Sequence, residues 1–221
     1  MAQIAEELFL LLLDNAAAQP GLDRRRRERL LAAAVLLDLA YACRIRPALA
    51  DDPIAPGRLI ALAGDQPSDP VCEPALDLLR RRPLSAAAAL GKLSRHIQPS
   101  LELHLEQTGH IRRVQLPTKL FQKTYCWPLT SRDRVSHTRD ALLGALFDGQ
   151  TPKPPIAAII CLLHATDGLG AVLSLNDRGW RWVHARATEI ATGEWIGDGE
   201  TALPEMNLAV TTSALRPVLM S

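Results

Sequence analysis

The sequence predicts an all-α globular domain carrying one inserted β-hairpin. Three observations lead there. Apolar residues make up 48% of the 221-residue chain but aromatics only 4%, and an Ala- and Leu-rich composition favours helix over sheet. Most apolar residues recur at helical spacing, along one face or all round the helix. Only between about 111 and 127 does the period switch to that of strands. The apolar content suffices for a sizeable core, and residues 1–221 are read as one domain.

The first helix runs from about Ala2 to Asn15, with Glu6 and Glu7 in its early turns, where carboxylates suit the helix dipole. Leu8 to Leu13 fills several of its faces. After a turn at Pro20-Gly21, Asp23 is a good N-cap for a second helix. That helix, Leu30 to Arg44, is apolar nearly all round and belongs in the middle of a bundle. Residues 47 to 70 carry five prolines and two glycines and read as a long loop with an apolar patch at Leu59 to Leu62. A third helix spans about Pro74 to Arg82, its closing arginines well placed against the dipole. Ser85 caps a helix to about His96, and Pro99-Ser100 opens another that Gly109 ends.

Ile111 to Leu116 and Leu120 to Trp127 read as the two strands of the hairpin, with Pro117-Thr118-Lys119 as the turn. Ser131 caps a helix to Phe147, stopped by Asp148-Gly149. Pro155 to Ala165 and Trp180 to Ala191 are further helices, and a short one closes the chain near Val210 to Val218.

Composition narrows the function classes. The net charge of +1 and pI near 7.8 argue against a protein steered to nucleic acid by its overall field. Any anion binding must be local. Cys43, Cys72, Cys126 and Cys161 are widely spaced, with no ligand-like Cys/His pattern, so neither a metal site nor a disulfide frame is expected. Leu8 to Leu13 is far shorter than the ~20 residues of a membrane span and lacks the basic flank of a signal peptide. The expectation is a cytoplasmic protein that could dock on a membrane from the cytosolic side.

The most informative feature is the run Arg24 to Arg27 at the start of the second helix. Cations there oppose the macrodipole, at ~0.3–1 kcal/mol each. One reading is a solvated helix start, partly compensated by Asp23 to Arg27 at i,i+4 spacing. The other is an anion site, in which free N–H groups and guanidinium forks hold a phosphate. In the hairpin, Arg112, Arg113, Lys119 and Lys123 interleave with Val114, Leu116, Phe121, Tyr125 and Trp127. This reads either as an amphipathic hairpin packed on the bundle or as an arm that contacts a membrane or another subunit. Signals for an enzyme are thin. His164 with Asp167 and Asp177, and His104 with His110, form no known catalytic motif. A hydrolase or transferase around His164 and Asp167 is the third-ranked class. No enzymatic activity, cofactor or metal is expected.

A family resemblance adds to this reading. The strings EELFLLLLD (Glu6 to Asp14) and LLDLAYACRI (Leu36 to Ile45) resemble the opening of the Golgi phosphoprotein 3 family. LELHLEQTGHI (Leu101 to Ile111) is similar to its pre-hairpin helix, Leu120-Phe121 and Trp127-Pro128-Leu129 to its hairpin and exit, and AAIICLLHATDGL (Ala157 to Leu169) to a later helix. The gap-rich loop and the lack of a basic N-terminal tail look more like the bacterial branch. The resemblance implies a helical fold with a protruding hairpin, phosphatidylinositol 4-phosphate binding at a membrane surface, and homo-oligomers formed through the hairpin.

The family's pocket uses a Trp and an Arg near the start of the second helix, which fall at Asp23 and Ala32 here. It also uses a basic pair before the pre-hairpin helix, which falls at Arg95 and Gln98. Only Arg95 matches. Arg24, Arg25, Arg26 and Arg27, at the same end of the same helix, are the candidate substitutes for headgroup binding beside Arg95. Arg112, Arg113 and Trp127 are the candidates for the membrane or oligomer contact. The alternative function is a protein-interaction adaptor of the same fold without lipid binding.

Overall fold

The computed structural model describes residues 3–64, 69–117, 124–193, 195–196 and 202–220. Its elements are α1 (Gln3–Leu13), α2 (Arg24–Tyr41), β1 (Ile45–Pro47), β2 (Leu59–Ala61), α3 (Glu73–Arg81), α4 (Ala86–Gln107), β3 (Val114–Leu116), β4 (Thr124–Cys126), α5 (Asp133–Phe147), α6 (Pro154–Ala165), α7 (Asp177–Ala191) and α8 (Leu203–Leu219). The fold is mainly α with small antiparallel strand pairs, as the sequence predicts.

α2 is the axis of the bundle. Every residue from Leu30 to Ala40 is buried, and the helix packs on α1, α4, α6 and α8. An uncharged run from Leu30 to Leu37 leaves it no face for water. Asp38, the one ionisable side chain in the buried stretch, serves α1: its two carboxyl oxygens accept from the backbone N–H groups of Ile4 (2.8 Å) and Ala5 (2.9 Å). A carboxyl group held across the bundle thus satisfies orphan donors at the start of another helix. Glu6, also buried, faces α5, where Arg134 donates to both Glu6 and Glu7.

Four local expectations are corrected. The 47–70 segment is not simply loop: Ile45 pairs with Ala61 and Pro47 with Leu59, and Leu59 also bridges to Leu84. The strands are too short to show a period, and their partners are distant in sequence. The two helices expected either side of Pro99 are one helix, α4. The stripe Leu90, Leu93, Ile97, Leu101 and Leu105 stays buried along its length, and that packing outweighs the bond the proline cannot make. The closing helix is longer than expected, because Asn207 anchors its first turns by donating to the carbonyls of Ala40 (2.6 Å) and Ile45 (2.7 Å). The hairpin register pairs Val114 with Cys126 and Leu116 with Thr124, so Leu116 does not face Leu120, as a turn at Pro117 to Lys119 requires. Lys119, Leu120, Phe121 and Lys123 lie outside the described residues. Among the described residues, no helix is long and apolar enough to cross a membrane.

Candidate anion-binding groove

The Asp23 N-cap forms as expected, its side chain accepting from the Arg26 N–H at 3.1 Å. It starts a helix whose first four residues are cations, and successive positions differ by about 100° round the axis. The four arginines therefore point different ways.

Arg24 reaches along the helix to Glu28 at 2.7 Å, and that hydrogen bond raises its pKa above the ordinary value. Arg26 lies beside Asp23 (3.3 Å) and Asp167 (3.8 Å). Asp23 thus pairs with Arg26 rather than Arg27. Arg27 turns inward. It donates to Gln98 Oε1 (2.8 Å) and to the Leu22 carbonyl (2.7 Å), with longer contacts to Pro20 and Gly21. Burial lowers its pKa, with Glu102 pulling the other way. The loop it ties down contains Ala18 and Leu22, both at positive φ, so Arg27 acts as a staple for the α1–α2 connection.

Arg25 is different. It is exposed and has no hydrogen-bond or ion-pair partner among the described residues. It lines a groove of about 500 Å³ with Glu28, Arg29, Leu90, Ser94, Arg95 and Val218. Arg95, from the middle of α4, is also exposed and without a partner among the described residues. Arg29 crosses the groove to donate to the Val218 carbonyl at the end of α8. The groove therefore holds three guanidinium groups and one carboxylate, and Arg24 already neutralises that carboxylate. A second cavity of about 320 Å³ on the other side of Arg25 and Arg29 is lined by Arg26, Asp23, Asp167 and Met220. Its two carboxylates make it the less positive of the two.

Of the residues singled out from the sequence, then, the structure brings together Arg25 and Arg95. Arg26 lies on the adjoining cavity, while Arg24 and Arg27 are engaged in intramolecular contacts. Arg29 was missed, although its signal was present: it stands four residues after Arg25, on the same helical face. In the hairpin, Arg112 and Arg113 are exposed, with the Arg113 guanidinium 3.8 Å above the Tyr125 ring. Trp127 is part-buried against the core, and its backbone N–H donates to the Ala18 carbonyl at 2.7 Å. The base of the hairpin is thus fastened to the loop before α2.

Two further polar clusters lie among the described residues. His164 Nε2 lies 3.2 Å from Thr188 Oγ1 while its Nδ1 is buried without a partner; burial lowers its pKa, helped by His184 and Arg216. Asp167 is turned to Arg26 instead. Glu6, Asp69 and His104 place ligand atoms within 4.8 Å of one another. Arg134 Nη2 already sits 2.6 Å from Glu6, so a cation there would meet a guanidinium.

The family model for Golgi phosphoprotein 3 (GPP34) matches residues 4–206. The chain belongs to the Golgi phosphoprotein 3 family. Comparison with curated proteins finds no match. Within the Golgi phosphoprotein 3 match lie α1 to α7, the hairpin, and the Arg25 and Arg95 sides of the groove. The wall formed by Val218 lies beyond it. Gln98, where the family resemblance places a basic residue, is the acceptor for Arg27, and Ala32 is fully buried.

Proposed function

We propose that this Golgi phosphoprotein 3 family member is a peripheral membrane protein. It holds the phosphate of an anionic lipid headgroup, of the phosphatidylinositol 4-phosphate kind, in the groove between α2, α4 and α8. The observation that carries this reading is the pairing of Arg25 with Arg95. Two exposed guanidinium groups, without hydrogen-bond or ion-pair partners among the described residues, line one groove beside a third, at a helix start where positive charge is unfavourable until an anion arrives. Guanidinium forks suit phosphate oxygens. On this reading Arg24 holds Glu28 away from the headgroup, Arg26 flanks the site, and Arg27 keeps the loop in place. Arg112 and Arg113 form a second, hairpin contact, with the membrane or with another copy of the chain.

Three arginines near an anionic surface give ~3 kcal/mol, about a hundredfold in affinity. Binding of that size is salt-sensitive. In vesicle sedimentation, the bound fraction should rise with the proportion of anionic lipid, rise further with phosphatidylinositol 4-phosphate, and fall with salt. A protein that stays in the supernatant with every composition contradicts lipid binding and leaves the adaptor reading.

A further inference from the structure

α8 turns an uncharged stripe outward. Leu203, Met206, Val210, Ser213, Pro217 and Met220 follow one another at alternating steps of three and four residues, which places them along one line of the helix. All six are exposed. Leu203 is 69%, Met206 51%, Val210 45% and Met220 65% exposed, values that a solvent-facing stripe normally reaches with charged side chains. The opposite side of the same helix, Asn207, Leu208, Thr211, Leu215 and Leu219, is buried in the bundle. α8 thus has two apolar faces, and the protein covers one. Its only charged residues, Glu205 and Arg216, lie off the stripe. At its start the stripe widens into a cleft of about 210 Å³ with Leu49, itself 58% exposed, and Leu62.

Charge decides what covers this face. Where the stripe ends, Met220 lines one cavity with Arg25, Arg26 and Arg29. Where it begins, Arg46 lines the Leu49 cleft with its charge held by Asp52 at 2.5 Å. An apolar line of about 25 Å, at 1.5 Å per residue, thus runs from an ion-paired end to an arginine-lined one. Apolar side chains beside guanidinium groups are what a surface dipping below anionic headgroups presents. A second copy fits less well: Pro217 stands on the stripe, and beside it the helix carries only Glu205 and Arg216, fewer charges than align paired helices.

We infer that the outward stripe of α8 is the apolar membrane contact of this protein, dipping below the headgroups while the neighbouring groove holds a phosphate. The inference rests on the reading of that groove as a headgroup site. It also supplies what the groove alone lacks, since stable anchoring takes two signals.

The test is sedimentation with phosphatidylcholine vesicles doped with phosphatidylserine, on the full chain. Leu203→Ser/Met206→Ser/Val210→Ser, all at exposed positions, should keep the wild-type circular dichroism. It should bind about tenfold or more weakly and keep the wild-type salt dependence. Arg25→Gln/Arg95→Gln should instead flatten the salt dependence. In a second measurement, Val210→Trp should gain fluorescence quenching by brominated acyl chains beyond that of wild type. A stripe variant that binds like wild type, while the arginine variant fails, overturns the stripe and leaves the groove. No binding by any form overturns both. A wild-type dimer that the stripe variant converts to a monomer in solution makes the occupant a second copy and overturns the membrane contact.

Discussion

Arg134→Ala is expected to lower the unfolding free energy by ~3–5 kcal/mol, the range for breaking a buried ion pair by removing one partner. Arg134 Nε donates to Glu7 and Nη2 to Glu6, both at 2.6 Å. Glu6 is only 4% exposed, so without the guanidinium a carboxylate would stay uncompensated inside the α1–α5 contact. Its other neighbour, His104 at 3.3 Å, carries charge only when protonated. Glu7 would keep the Thr138 hydroxyl at 2.7 Å, which makes Glu6 the main source of the loss. Arg134→Lys should recover only part of it, because an ammonium lacks the planar fork that meets two carboxylates at once. Urea unfolding measures the effect. A loss below about 1 kcal/mol would place the pair in the class of exposed ion pairs and contradict the packing described.

The second large effect is a stability that falls as pH rises. Burial pushes the Asp38 carboxyl up to about 8, against the pull of the Ile4 and Ala5 N–H groups, and neighbouring Glu6 adds to the rise. In the unfolded chain the group titrates near the ordinary value of about 3.9. Between those values the native state holds a proton that the unfolded state has released, so the contribution of Asp38 to stability is greatest below about pH 4 and is lost progressively up to about pH 8. Each pH unit in that window costs up to about 1.4 kcal/mol. Melting temperatures at a series of pH values should show this descent. Asp38→Asn should flatten the pH dependence at a fixed cost, since an amide offers one acceptor oxygen to two N–H donors. A wild-type curve that rises from pH 5 to pH 8 would mean the two N–H groups keep Asp38 ionised throughout.

Much of the fold was legible because its strongest signals are local. The uncharged run Leu30 to Leu37 can only be a buried helix, and Asp23 can only cap its start. Gly109, at φ 76°, ends α4 as its position predicts. What the sequence hid depends on partners far along the chain. Glu6 and Glu7 read as favourable first-turn carboxylates, whereas their main partner is Arg134 in α5. Pro99 reads as a break, yet the buried stripe of α4 carries the helix through it. The β1–β2 pair is held partly by Leu84, outside the segment.

The candidate groove was half legible. A run of four arginines marks the right helix end, but not which of them face outward. Arg27 is withdrawn by Gln98 and the loop carbonyls, and Arg24 by Glu28. Arg29 joins because it repeats the position of Arg25 one turn later. The third wall, from the last turn of α8, lies beyond residues 4–206, so the family resemblance does not supply it.

The central claim is that Arg25 and Arg95 act together on a headgroup phosphate. It is tested most directly by titrating vesicles containing phosphatidylinositol 4-phosphate with wild type, Arg25→Gln/Arg95→Gln, and Arg112→Gln/Arg113→Gln at low and moderate salt. The Arg25/Arg95 variant should bind about thirtyfold more weakly at low salt, on ~1 kcal/mol per arginine, with melting unchanged because neither side chain has a hydrogen-bond or ion-pair partner among the described residues. Equal affinity of the Arg25/Arg95 variant and wild type would contradict it, and a loss confined to the Arg112/Arg113 variant would move the anion site to the hairpin.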